Sequence, residues 1–241
     1  MSILYLIRHG QASFGQADYD RLSELGEVQM HSLGKFWVQR GIRPDAVYAG
    51  ALVRQQNSAR WVKEEFSAAG EKFPDPIILK NFDEYETRHL LTGSLSTVLT
   101  QYPELAQLVK ELASGVPPDL VNNKKAFQKV FARAMDMWVD EKLKLPGMET
   151  WREFTGRVNQ GLDLVIAEQG SGKTVAVFTS GGPISAAMQK ALGLGDKTAL
   201  ELGWVIANGS ITEFRYSEDK FSLASFNTTP HLDRPGLISY R

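Results

Sequence analysis

The chain predicts an α/β fold, a three-layer α/β/α sandwich around a mostly parallel sheet, and three observations lead there. Short apolar runs alternate with stretches of helical periodicity, the pattern of strand–helix–strand units. The first run, Ile3–Ile7, is apolar at every position rather than at alternate ones, as a strand covered on both faces must be. The last two runs, Ile211–Tyr216 and Phe221–Phe226, are joined by Ser217-Glu218-Asp219-Lys220 and read as an antiparallel hairpin closing the sheet.

The elements follow in order. Ser23 is a candidate N-cap for a helix with Leu25, Gln29, Leu33 and Phe36/Trp37 along one side, ending at Gly41. Asp45–Tyr48 is a short second strand, Leu52–Phe66 a helix stopped by Gly70, and Ile77–Asn81 a third strand whose following turn carries Asp83 and Glu84. Val175–Thr179 is the clearest strand. Pro183–Leu192 reads as a helix with proline near its first turn. Between Thr87 and Thr150 the rhythm changes: Leu95–Ala113 and Lys125–Leu143 are helical patterns with no strand between them, separated by Gly115, Pro117 and Pro118. The organisation expected is one domain over residues 1–241 with a helical cap insertion at about 87–150, lying over the open end of the sheet where α/β proteins bind ligands. Within it, Lys125, Lys129 and Arg133 share one helical face, read as a solvated surface in preference to an anion-binding one.

Composition narrows the function. At 241 residues with 43% hydrophobic and 23% charged residues, the chain has enough apolar matter for a core. A net charge of −1 gives no global attraction to nucleic acid or anionic membranes, so any anion site must be local. There is no cysteine, which excludes disulfides, thiolate metal sites and cysteine nucleophiles. No apolar run approaches a membrane span, and the one at the start is too short for a signal-peptide core; a cytoplasmic protein is expected. Gly170-Ser171-Gly172-Lys173-Thr174 imitates the end of a P-loop but precedes a strand instead of following one, and reads as a turn.

The chemistry sits where strands end. Arg8, His9 and Gly10 close the first strand, at the edge where a doubly wound sheet keeps its functional groups, and Gly10 lets the backbone approach a ligand closely. Thr179-Ser180-Gly181-Gly182 closes the fourth in similar fashion. Leu4–Gln11 resembles the strand and LxRHGx motif of the histidine phosphatase superfamily, also called the phosphoglycerate mutase-like family. Leu52-Val53-Arg54 with Asn57-Ser58-Ala59 resembles its second-helix motif, SPLxRAxQTA. Glu84 falls where the family places its acid, and Val175–Gly182 is similar to its strand ending in a histidine and two glycines.

What the resemblance implies is a phosphomonoester hydrolase working through phosphohistidine. His9 would be the nucleophile, a neutral imidazole offering a lone pair to phosphorus. Arg8 and Arg54 would bind the phosphoryl oxygens and hold the imidazole neutral, with Gln11, Ser180 and Gly181 completing the phosphate site. Glu84 would protonate the leaving alkoxide and then activate water, which favours mildly acidic pH. No metal and no cofactor are implied, and the partner expected is a small phosphorylated substrate, without nucleic acid or membrane; a homodimer stays open. The alternatives are mutase-type transfer back to substrate, or a catalytically weakened phosphate- or partner-binding module.

The second alternative arises because Ser180 occupies the slot of the family's second histidine. Exchanging a charge-assisted contact for a hydroxyl weakens the interaction by about 1.5–3 kcal/mol, or about one to two decades in rate. Gly50 and Ala51 replace Ser-Pro, and Asn57 replaces glutamine. His89 and His231 are the candidates to compensate for the missing imidazole, and His31 reads as a surface or packing residue.

Overall fold

The computed structural model describes residues 1–13, 20–86, 99–112, 124–144 and 147–240. The apolar runs build one six-stranded sheet: β1 (Ser2–Arg8), β2 (Ala46–Ala49), β3 (Ile77–Ile78), β4 (Thr174–Thr179), β5 (Ile211–Ser217) and β6 (Lys220–Thr228), in the order β3-β2-β4-β1-β5-β6. Strands β1 to β4 are parallel, while β5 and β6 are antiparallel, as the hairpin pattern requires. Leu4, Leu6, Val175 and Val177 are buried on one face of the central pair, and Ile7, Ala176 and Phe178 on the other. The continuous apolar character of β1 and β4 thus reflects two covered faces.

Helices α1 (Glu24–Arg40) and α2 (Val53–Ala68) cover one face through Leu33, Trp37, Val62 and Phe66, all fully buried. Apolar side chains of this kind contribute about 1.5–3 kcal/mol each when removed from water. On the opposite face α5 (Trp151–Gln169) reaches the sheet where Gln169 donates to Tyr48 Oη at 2.7 Å, and Lys190 of α6 (Gly181–Leu192) pairs with Asp163 of α5 at 2.6 Å. The sandwich therefore has the three layers expected. Ser23 caps α1, its hydroxyl accepting from Gly26 N at 3.1 Å, and Gly41 ends it in the left-handed conformation with φ 68°.

Several boundaries differ from the sequence reading. The third strand shrinks to Ile77–Ile78, both exposed, and gives way to a 3-10 turn at Lys80–Phe82. Helix α6 starts at Gly181, ahead of Pro183, because first-turn N–H groups have no intrahelical acceptor and a proline there removes nothing. The periodicity reading passed over α5 and α7 (Asp196–Val205).

Residues Tyr85–Phe154 form a second compact unit, while Met1–Glu84 and Thr155–Arg241 form the first. The second unit contains α3 (Pro103–Leu112) and α4 (Lys124–Val139). Pro103 opens α3, so the helix expected from Leu95 onward is interrupted before it; the residue preceding a proline is driven out of the α region. Trp138 and Tyr85 anchor this unit's core, with ring centroids 5.0 Å apart, and Trp138 meets Trp151 edge-on at 5.3 Å. Arg133 pairs with Glu104 at 2.7 Å, in line with a solvated face. No helix among the described residues is long and apolar enough to cross a membrane.

Candidate active site

Strand order decides where the site falls. The chain leaves β1 for β2 on the far side of β4, and later leaves β4 for β5 on the far side of β1, so connections diverge between these two central strands. The carboxyl ends of strands at such a switch point are where open α/β sheets bind ligands. Arg8 pairs in register with Thr179, and His9 N donates to Thr179 O at 2.8 Å, which brings His9 beside Ser180.

The His9 imidazole is 5% exposed. Its Nδ1 lies 2.7 Å from Gly10 O, and a carbonyl only accepts, so Nδ1 carries the proton. Nε2 is left with its lone pair, which accepts from Arg54 Nε at 3.2 Å. Burial, then the Arg54 charge, then the Arg8 charge hold the His9 pKa well below the ordinary imidazole value, and the Gly10 carbonyl offsets this only in part. Geometry and electrostatics agree on a neutral Nδ1–H imidazole.

Arg54 reaches His9 from the first turn of α2 and is 7% exposed. Its Nη1 donates to Asp20 Oδ1 at 2.6 Å, while Asp20 Oδ2 accepts from Val53 N at 2.8 Å. Leu52 at the N-cap has no side-chain acceptor of its own, so Asp20 caps the start of α2 from a distance, while Asp83 Oδ1 accepts from Ala51 N at 2.5 Å just ahead of the helix. Arg8 Nη1 donates to the carbonyls of Ile206 and Tyr240, so Arg8 stands beside His9 as a fixed positive charge tied to the chain's final segment. Glu84 Oε2 accepts from Gly182 N at 3.2 Å, placing its carboxylate at the amino end of α6. Arg157 holds the turn leading to Glu84, its Nη1 donating to the carbonyls of Lys80, Asn81 and Asp83 at 2.9 to 3.1 Å.

Ser180 is fully buried at the start of α6, yet its hydroxyl does not cap that helix. Instead it accepts from Gln55 Nε2 at 2.9 Å. Gln11 lies at the foot of α1, where Ser23 Oγ donates to its Oε1 at 2.9 Å and its backbone N donates to Gln29 Oε1 at 2.8 Å. Gly10 has a packing role as well. A Cβ there would stand 2.3 Å from Gly26 O, so glycine is needed for close passage against α1, whatever ligand binds.

Asp20, Gln55, Arg157 and the final segment were not singled out from sequence, and Ser58 only as a member of the second-helix motif. Ser58 joins the loop to α2, accepting from Gly10 N at 3.1 Å. Gln55 had a signal: the helix motif has alanine after its arginine, and this chain has glutamine. Among the remaining histidines, His31 pairs with Glu65 at 2.6 Å between α1 and α2, and His89 lies outside the described residues.

His231 is buried beside Gly209 and the Phe36 ring, at a centroid distance of 6.2 Å. Among the described residues neither of its ring nitrogens has a hydrogen-bond partner. Burial pushes its pKa down to about 4, which the nearby Gly209 backbone only partly offsets. Unfolded chains protonate such a ring below about 6.5, so this term of stability is complete above that pH and is lost as pH falls towards 4. His9, depressed in the same direction, adds to the loss. We expect His231→Phe to flatten the decline of stability between pH 6.5 and 4 by on the order of 3 kcal/mol, read from urea midpoints. Parallel pH curves for variant and wild type would contradict this.

A doubly wound sheet carrying a neutral imidazole, two guanidinium groups and a carboxylate has the α/β architecture of many enzymes, and the two guanidinium groups offer donors of the kind an anion requires. The sequence matches the family model of the histidine phosphatase superfamily (branch 1) over residues 4–139 and 120–229. The chain belongs to that superfamily, whose chemistry is phosphoryl transfer.

Solved structures share the fold at low identity. Bacillus stearothermophilus YhfR aligns with a TM-score of 0.67 at 16% identity, over 96% of this chain and 99% of its own. Phosphoserine phosphatase from Entamoeba histolytica, solved with 3-phosphoglyceric acid, gives 0.63 at 16%, over 96% and 100%. Phosphoglycerate mutase from Bacillus anthracis gives 0.61 at 20%, over 95% and 94%. No curated protein sequence matches this chain significantly.

Proposed function

We propose that the chain is a phosphomonoester hydrolase whose intermediate is phosphohistidine at His9. The observation that carries this reading is the His9 tautomer: Nδ1–H is committed to Gly10 O, and the Nε2 lone pair faces the Arg54 guanidinium. A phosphoryl group entering the site takes over the Arg54 donors with its oxygens, which releases Nε2 to attack phosphorus. As the P–O bond to the leaving group breaks, charge spreads over the equatorial oxygens, and Arg54 and the nearby Arg8 charge stabilise it without metal. Glu84 protonates the departing alkoxide. It then accepts a proton from the water that attacks phosphohistidine, returning His9 and releasing inorganic phosphate.

Ser180 supplies a hydrogen bond in place of a charge, and Gly181 contributes the first amide of α6. Gln11 orients the loop.

The test is to mix enzyme with an aryl phosphate, quench at alkaline pH where phosphohistidine survives, and map the modification by mass spectrometry. Phosphate on the peptide carrying His9, with release of inorganic phosphate, supports the hydrolase. Phosphate on His9 that passes to an added alcohol in preference to water selects the mutase reading, and an unmodified peptide without turnover selects the binding module.

Glu84 has its own signature. Glu84→Gln is expected to lower kcat by about 10²- to 10⁴-fold on an alkyl phosphate. A nitrophenyl ester, whose leaving group needs no proton, should lose less in its first step, so phosphohistidine accumulates. Equal losses on both esters without accumulation would rule out the acid–base role.

A further inference from the structure

Of three positions at which this chain departs from the family motif, the middle one touches both of the others. Gly50 stands for serine, Gln55 for alanine and Ser180 for histidine. Gln55 is fully buried, and its carboxamide makes three hydrogen bonds: Oε1 accepts from Leu52 N at 3.2 Å, while Nε2 donates to Phe82 O at 3.0 Å and Ser180 Oγ at 2.9 Å. It lies against Gly50 so closely that a Cβ on residue 50 would stand 2.0 Å from Gln55 Oε1. A side chain longer than that of glycine is thereby excluded at position 50 while Gln55 keeps this conformation.

The polarity of the Gln55–Ser180 bond follows from the donors. Phe82 O and Ser180 Oγ both receive protons from Nε2, which fixes the carboxamide's orientation, since a carbonyl cannot donate. Ser180 Oγ therefore spends an acceptor site on Gln55 and retains its own proton. Among the described residues no acceptor takes that proton. Serine at a helix start normally turns its oxygen to the first-turn amides. Here Gly182 N is served by Glu84 instead, and Ser180 Oγ is held by α2. Gln55 adjoins Arg54 in sequence and Ser180 adjoins His9 in the sheet register, so the bond joins the two elements that carry the site.

We propose that Gln55 is a positioning residue which, lodged over Gly50, orients the Ser180 hydroxyl as a neutral donor to the phosphoryl group, replacing an imidazole donor. The proposal rests on the phosphoryl-site reading given above. The pair supplies a hydrogen bond whose strength does not depend on pH, whereas an imidazole in that place would titrate.

The test uses the full chain with aryl phosphate hydrolysis and, separately, calorimetric binding of inorganic phosphate. Gln55→Met keeps side-chain length and removes the donor; Ser180→Ala removes the hydroxyl. Each is expected to lower kcat by about ten-fold with a smaller change in KM, and the double variant to fall no further than the worse single. Gly50→Ala, which displaces the carboxamide from outside, should reproduce the Gln55→Met loss if that variant folds poorly. Ser180→His should gain activity only when combined with Gln55→Ala, which vacates the space.

Wild-type kcat in Gln55→Met beside an impaired Ser180→Ala overturns the proposal, and so do losses that multiply in the double variant. If the wild type shows no His9-dependent turnover, the hydrolase reading fails, and phosphate affinity then decides this proposal alone. Equal weakening in both singles without further loss in the double sustains it, and unchanged affinity overturns it.

Discussion

His9→Ala is expected to lower kcat for aryl phosphate hydrolysis by about 10⁴-fold or more, because it removes the Nε2 lone pair that attacks phosphorus in the proposed mechanism. The remaining site should still bind phosphate. Arg54 keeps its bond to Asp20 Oδ1 at 2.6 Å, and Arg8 keeps its carbonyl partners, so neither depends on the imidazole for its place. KM should therefore change far less than kcat. Steady-state kinetics of the purified variant check this, with calorimetry of inorganic phosphate as the companion. Retention of a tenth or more of wild-type kcat would remove His9 as nucleophile.

The second large effect belongs to Arg54. Arg54→Met removes the guanidinium that meets Nε2 at 3.2 Å and should cost about 10²- to 10³-fold in kcat/KM, the range for losing a preorganised donor to developing charge. It carries a second signature in pH. The largest cause of the depressed His9 pKa is burial, which the substitution leaves in place; the second is the Arg54 charge, which it removes. Losing a neighbouring positive charge favours imidazolium, so the His9 pKa rises and the acid limb of kcat/KM moves to higher pH. In the wild type His9 stays neutral well below the ordinary imidazole value, so His9 itself does not limit activity at mildly acidic pH. An acid limb that stays put or moves lower in Arg54→Met would contradict the electrostatic coupling.

Asp20 shapes both experiments. Its carboxylate holds Arg54 and caps α2 from a residue distant in sequence, which keeps the guanidinium in one orientation before any substrate arrives. A preoriented fork loses less side-chain freedom on binding an oxyanion than a solvated arginine would.

Much of this protein was legible without coordinates. Buried strands announce themselves by continuous apolar runs, and helix α1 by Ser23 and Gly41, because these signals are local: a covered face, an acceptor for first-turn amides, a left-handed end. Arg8-His9-Gly10, Arg54 and Ser180-Gly181-Gly182 were legible as a candidate set for the same reason, since they lie at a strand end or a helix start, while Glu84 follows a short 3-10 turn. Local signals failed where tertiary contacts overrode them. The strand expected at Ile77–Asn81 shrinks to two residues at the exposed sheet edge, where Arg157 gathers three carbonyls and bends the chain towards Glu84.

The amino-acid sequence alone determined the layers, the family and the residues that bring charge to the site. Only the tertiary structure decided how they act: which His9 nitrogen carries the proton, which carboxylate orients Arg54, and what holds the Ser180 hydroxyl. The last two depend on partners distant in sequence, Asp20 against Arg54 and Gln55 against Ser180, whose meeting is set by strand order and helix packing. Periodicity reports which face of an element is buried; it carries no record of which distant side chain waits there.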